Sequence, residues 1–347
     1  MSDYAYINAR VCSMRTGLLS RETIEELMTF ESVQAVAERL LDTSYRTGLA
    51  TSMAQREPLR ALDIALDESL QECIQRILRM ASGDARPWIQ AFVDDWDVQA
   101  IKTVLRGVQR QLSDQTILDG VGPTARLTRR DMEQLAELAD IRGIIDLLVS
   151  WSSPWGTALK SAWDDYLAEE TLVPLEFALD VHRFKAAYAL NTSGLVEDHV
   201  ALQLLAAEAE LTNVVQCLIS VGGQKPPRLL PVAGGSSRIV RALAAANDLP
   251  QATAILAESR FREVLDIALP FMTHIGHLGM FERLLERERL LGARRLALQD
   301  PLSIAVVSHY LRCKRNEVTN IKLIARGVAN GVVPSAIRAG LIFASES

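Results

Sequence analysis

The chain has 347 residues, of which 49% are hydrophobic and 23% charged, and its net charge is −6. That balance excludes an intrinsically disordered chain and offers nothing to attract nucleic acid. Aromatic residues are only 5% while Leu and Ala abound, which favours helix over strand.

Asp3 and Arg10 interrupt any early apolar run, so no secretory leader is expected. Ser20 is placed to cap a helix over Arg21–Leu41, in which Ile24, Leu27, Met28, Val33, Val36, Leu40 and Leu41 largely keep three- and four-residue spacing. Asp119-Gly120-Val121-Gly122-Pro123 reads as a break, because Pro removes a donor and paired Gly cost entropy. Thr128 and Asp131 have capping-box spacing, with Leu127 able to staple onto Met132. The helix after them should bury Leu135, Leu138, Ile141, Ile145 and Leu148, with Gly143 as its weak point. A second interruption runs through Gly222–Pro227 and Gly234–Ser237. The two breaks divide the chain into expected helical domains at 1–118, 119–235 and 236–347. No alternating strand set or Asn-Gly hairpin is evident, and no apolar run approaches the ~18–20 residues of a bilayer span. The run Phe281–Arg289 reads as a solvated helix face with charge pairs four residues apart.

One six-residue pattern recurs: an acid, Val, two variable positions, a large hydrophobe and Lys. It appears at Asp97, Val98, Ile101 and Lys102, at Asp180, Val181, Phe184 and Lys185, and at Glu317, Val318, Ile321 and Lys322. The unequal spacings exclude a short solenoid period and fit copies of one helical domain with different insertions. Val and the hydrophobe three residues later share a helix face, so the pattern reads as packing.

Catalytic signatures are absent. There is no Gly-x-x-x-x-Gly-Lys-Ser/Thr and no Gly-x-Gly-x-x-Gly after a strand. Cys12, Cys73, Cys217 and Cys313 form no Cys-x-x-Cys and read as reduced, packed thiols. His274 and His277 could share a helix face but lack a third metal ligand, so neither a metal nor a cofactor is expected. Asp94-Asp95 and Asp164-Asp165 read as solvated helix edges. Trp88, Trp96, Trp151, Trp155 and Trp163 read as core wedges. Between Phe281 and Gly340 eleven Arg and Lys face five Asp and Glu, which leaves −12 for the remainder. This basic third, with Arg312, Lys314 and Arg315 at its centre, is the candidate partner interface.

The opening Tyr4-Ala5-Tyr6-Ile7-Asn8-Ala9-Arg10-Val11 followed by Leu18-Leu19, the segment Leu41–Tyr45, and the ending resemble the C subunit of V/A-type ATP synthases. In the ending, Asp300-Pro301-Leu302 and Tyr310-Leu311 lead to Asn316–Gly327 and then to Pro334–Arg338. The chain is similar, more remotely, to the d subunit of eukaryotic vacuolar ATPases. The resemblance implies three similar helical domains in a pseudo-threefold funnel. It implies a non-catalytic rotor component on the inner face of the membrane, without a span of its own. Its partners would be the D and F proteins of the central shaft and the proton- or sodium-carrying membrane ring. A general helical adaptor, or an all-helical enzyme, shares the composition.

Overall fold

The structure, a computed structural model, describes residues 3–191, 196–221, 223, 225–232, 235–274 and 278–343, with the backbone alone at residues 3, 196–198 and 273–274. Among the described residues the chain is helical and has no strand, the all-α class expected. Helix α1 (Asp3–Arg15) precedes a pair of short helices, α2 (Arg21–Leu27) and α3 (Val33–Leu40), then α4 (Arg46–Met53) and the long α5 (Pro58–Met80). Helices α6 (Ala85–Gln109) and α7 (Asp114–Gly120) lead into a second short pair, α8 (Arg129–Ala136) and α9 (Ile141–Ser150). After it come α10 (Pro154–Ser161), α11 (Trp163–Glu169) and α12 (Val173–Tyr188). Helix α13 (Val196–Ser220) leads into a third pair, α14 (Arg238–Ala244) and α15 (Leu249–Ala257), and then α16 (Arg262–His274). The last helices are α17 (Gly279–Gln299), α18 (Ala305–Ala329) and α19 (Pro334–Ala339).

The three short pairs are cut from the chain by the same chemistry. The first helix of each begins at a hydroxyl: Ser20, Thr128 and Ser237 accept the amides of Thr23, Asp131 and Val240. The second begins at Ser32, Asp140 or Asp248, which accept the amides of Ala35, Gly143 and Gln251. Each cap satisfies an amide that the first helical turn cannot. The expected capping box at Thr128 is present in both directions. The single helix expected over Arg21–Leu41 is instead two, because Ser32 takes an extended conformation and starts a new one. Gly143 likewise lies in the first turn of α9, where it donates to Asp140, and not in a helix interior.

Contacts gather residues 86–195 into one unit, and residues 1–85 with 196–347 into another. The first unit closes around Val104, Leu135, Ile144, Ile145, Leu148, Leu159 and Leu179. The Asp119–Pro123 turn lies inside it. Helix α7 continues to Gly120, so the break starts at Val121. In the second unit, Val214, Leu243, Leu256, Phe261, Ala268 and Phe281 form one cluster. The second interruption lies in this unit, and Gly222, Gln224 and residues 233–234 of it fall outside the described residues. The stretch His199–Ser220 within α13 is long and apolar enough to cross a membrane by length and composition, which departs from the expectation of no such run. It buries Leu204, Leu205, Leu211, Val214 and Leu218 inside the protein, as a core helix does.

Two further features recur 220 residues apart. Gly107 of α6 would place a Cβ 2.5 Å from Ile117 Cγ1, and Gly327 of α18 would place one 2.6 Å from Ile337 Cδ1. The following turns pass through left-handed Gln111 and Gly331, at φ 55 and 65. Both glycines therefore let a small helix fold back against a long one. Gly107→Ala should destabilise the protein by about 1–3 kcal/mol through overpacking, although Ala favours helix by about 1 kcal/mol. Chemical denaturation of Gly107→Ala alone and combined with Ile117→Ala checks this: the second change should relieve most of the penalty of the first.

Candidate functional site

Helices α6, α13 and α18 are each 25 residues long, and each carries a buried polar side chain at a similar depth. Asp97 on α6 is fully buried and accepts the amide of Ala125 at 2.7 Å and that of Arg126 at 2.9 Å. Burial pushes its carboxyl up to about 6, with the amides pulling the other way. Asn213 on α13 accepts the amide of Leu230 at 2.7 Å and donates to the same residue's carbonyl at 3.0 Å. Glu317 on α18 accepts the amide of Leu19 at 2.5 Å and the Tyr45 hydroxyl at 2.6 Å. Lys314 donates to Glu317 at 3.1 Å and to the Tyr45 hydroxyl at 2.8 Å, and lies 4.0 Å from the Tyr45 ring centre. In all three places a long helix holds the backbone that enters a short helix pair.

One turn beyond Asp97 and Glu317, a ladder of ion pairs joins each long helix to a neighbour. Lys102 donates to both oxygens of Asp180 at 2.6 and 2.7 Å, and Arg106 holds Glu176 at 2.7 and 2.6 Å. Lys322 holds both oxygens of Asp67 at 2.7 Å, and Arg326 reaches Asp63 at 3.3 Å. Burial raises the carboxyls of Asp67 and Asp180, with Lys322 and Lys102 acting against it.

The structure therefore gives Asp97, Val98, Ile101 and Lys102 positions equivalent to those of Glu317, Val318, Ile321 and Lys322. Val98, Ile101, Val318 and Ile321 are all buried. The Asp180 set is placed differently. Asp180 is the carboxylate opposite Lys102, Phe184 is buried, Val181 is half-buried and Lys185 is exposed. The counterpart of Asp180 is Asp67, and the shared sequence is Leu62-Asp63-Ile64-Ala65-Leu66-Asp67 against Leu175-Glu176-Phe177-Ala178-Leu179-Asp180. A third version, Leu265-Asp266-Ile267-Ala268-Leu269-Pro270, lies on α16. There Pro replaces the pairing Asp, and Leu218 of α13 stands where α6 and α18 carry Lys, five residues after Asn213.

Of the candidate interface cations, Arg312 is half-buried against Glu208 at 2.6 Å, Lys314 is buried in the Tyr45 cluster, and Arg315 is exposed. Much of the basic segment is engaged internally. Arg283 donates to Asn320 and to the Gly340 carbonyl, Arg289 pairs with Glu286 and Thr212, and Arg338 pairs with Glu25. The Phe281–Arg289 run is thus half-buried and bonded to other helices, and not a solvated face. Asp94 is also buried, in a two-point pair with Arg126, and Asp95 lies 3.8 Å from Arg183. Asp164 and Asp165 are exposed as expected. Trp88, Trp96 and Trp155 are buried, Trp151 and Trp163 half-buried. Cys73, Cys217 and Cys313 are buried, whereas Cys12 is exposed. Among the described residues no cluster of three or more His, Cys, Asp or Glu could hold a metal ion. His277 and the His274 side chain lie outside them.

The family described as ATP synthase (C/AC39) subunit matches residues 7–340. The C subunit of the A-type ATP synthase of Haloquadratum walsbyi is 26% identical over 97% of both chains. Its V-type counterpart in Deinococcus radiodurans is 26% identical over 94% of this chain and 87% of its own. The A-type counterpart in Pyrococcus abyssi is 26% identical over 96% and 89% respectively.

Lys102→Met should cost about 2–4 kcal/mol, because it strands the Asp180 carboxylate in a mostly buried position. Adding Asp180→Leu should restore most of that loss, as measured by urea denaturation in a double-mutant cycle. A pH effect follows from His309, which is buried on α18 beside Cys313. Burial first, then Arg15 and Arg294, pull its pKa down to about 4. The unfolded imidazole binds a proton near its ordinary pKa of about 6.5 and the folded one does not, so stability present above 6.5 is lost as pH falls towards 4. His309→Gln should flatten that slope, seen as a smaller fall in urea midpoint between pH 7 and pH 5.

Proposed function

Because the chain belongs to the ATP synthase (C/AC39) subunit family, we propose that it is the non-catalytic central-stalk component of a prokaryotic V/A-type ATPase. In this role it joins a shaft built from the D and F proteins to the membrane rotor ring and transmits torque, peripheral to the inner face of the membrane. The observation that carries the reading is the family match over residues 7–340, with relatives of the same name aligned along nearly their whole length. The proposed architecture is three similar helical domains, 1–118, 119–235 and 236–347, forming a funnel around the shaft. The capped short pairs, recurring three times with a buried side-chain lock before each, support a threefold repeat.

The role asks for a stiff body more than for a reactive site. Close-packed interiors deform little, and the ion-pair ladders add directional restraint between helices. Among the three cations proposed for a partner contact, Arg315 has the exposed position, and it remains the interface candidate. Affinity purification of the tagged chain from its own cells should recover the D and F shaft proteins and the ring protein. Arg315→Glu should lower their yield without lowering the melting temperature. Recovery of the folded chain without any other part of a rotary ATPase would overturn the stalk assignment.

A further inference from the structure

A recess of about 800 Å³ opens between α1, α5 and α18. Arg10 of α1 and Arg76 and Arg79 of α5 stand on its wall, and Glu72 is the one carboxylate among its lining residues. Its floor is formed by the buried side chains of Tyr310 and Lys314. All three arginines are exposed and none has an ion pair among the described residues. By contrast, Arg106, Arg126, Arg312, Arg326 and Arg338 all hold carboxylates. Lys314 is already balanced by Glu317, so the wall itself carries a surplus of two positive charges.

A concave wall concentrates such a field, and guanidinium forks bind carboxylates at two points. The shape and the lining narrow the ligand class. The arginines come from two helices, and Arg76 and Arg79 share one helix face by their three-residue spacing. They thus form a wide track and not a single closed cradle. Tyr310 is the one aromatic residue of the lining and is only 4% exposed, which leaves no ring face on which a nucleobase could stack. We propose that this recess docks an acidic polypeptide segment of a partner protein, its carboxylates reaching Arg10, Arg76 and Arg79. The proposal rests on the stalk reading only for the source of that segment, a fellow member of the complex.

The full chain can be titrated against a fluorescent oligo-glutamate peptide by anisotropy. Binding should weaken steeply with salt. Arg10→Gln/Arg76→Gln/Arg79→Gln should weaken it about tenfold with an unchanged melting temperature, since these side chains support no ion pair. Glu72→Gln should tighten it about threefold by removing the opposing charge. No binding at low salt overturns the proposal, as does equal binding by the triple variant. Displacement of the peptide by equimolar pyrophosphate would also overturn it, by marking a small-oxyanion site. Purification of the native complex separates the two readings. No peptide binding by the unaltered chain while the D and F proteins co-purify with it would sink the recess alone, and peptide binding without those proteins would sink the stalk role alone.

Discussion

Three amides determine how this chain is put together. Leu19, Ala125 and Leu230 lie in segments that lead into the short helix pairs, and each donates into a side chain within a long helix. A buried amide without a partner costs about 1–3 kcal/mol, more than most single contacts return. The long helices therefore cannot rotate or slide without exposing or orphaning these groups. The three solutions differ electrostatically. Asn213 is neutral and satisfies both groups of the Leu230 backbone. Glu317 shares its charge with Lys314. Asp97 takes its charge into a fully buried position, and its carboxyl is pushed up to about 6 as a result.

The ion-pair ladders sit next to these locks and perform a related task. Lys102 and Arg106 meet Asp180 and Glu176, so the numbering rises on one helix as it falls on the other, and α6 and α12 run antiparallel. Helices α18 and α5 do the same through Lys322, Arg326, Asp67 and Asp63. Such pairs are weak evidence of net stabilisation, because desolvation offsets much of the attraction. The α13 version bears this out within one molecule. With Leu218 and Pro270 in place of Lys and Asp, it still forms a packed cluster around Val214 and Ala268.

Much of this was legible from residue order. Leu and Ala excess pointed to helix, Thr128 and Asp131 to a capping box, and the Asp97 and Glu317 patterns to equivalent positions. The middle match misled, because an acid, a Val and a Lys at the right spacing do not say which helix they face. Asp180 shares a spacing with Asp97 and a role with Asp67. The third lock escaped the pattern because Asn213 is not an acid and Leu218 is not a Lys. The better signal was the run Leu-acid-Ile/Phe-Ala-Leu at 62, 175 and 265, in which the first Leu is buried each time and the acids at 63 and 176 are partners and not locks. Charge was the least legible property. A surplus of cations in the last third suggested an outward patch, yet Lys314 is buried against Glu317, and Arg312, Lys322, Arg326 and Arg338 pair with carboxylates encoded far away in the chain.

Under load, these features gain a shared meaning. Apolar packing resists compression but allows one helix to slide along another at modest cost, since a Leu meets a similar surface one turn further on. A ladder of two rungs does not. A slip of α6 along α12 by one turn, about 5.4 Å, would keep one rung and strand one cation and one carboxylate. The same slip would pull Asp97 from the Ala125 and Arg126 amides. The penalty is thus incurred twice, by interactions on two sides of one helix, and only the native register satisfies both. The torque-transmitting role proposed above would call for that kind of resistance along the helix axes, and buried polar side chains supply it where hydrophobic area cannot.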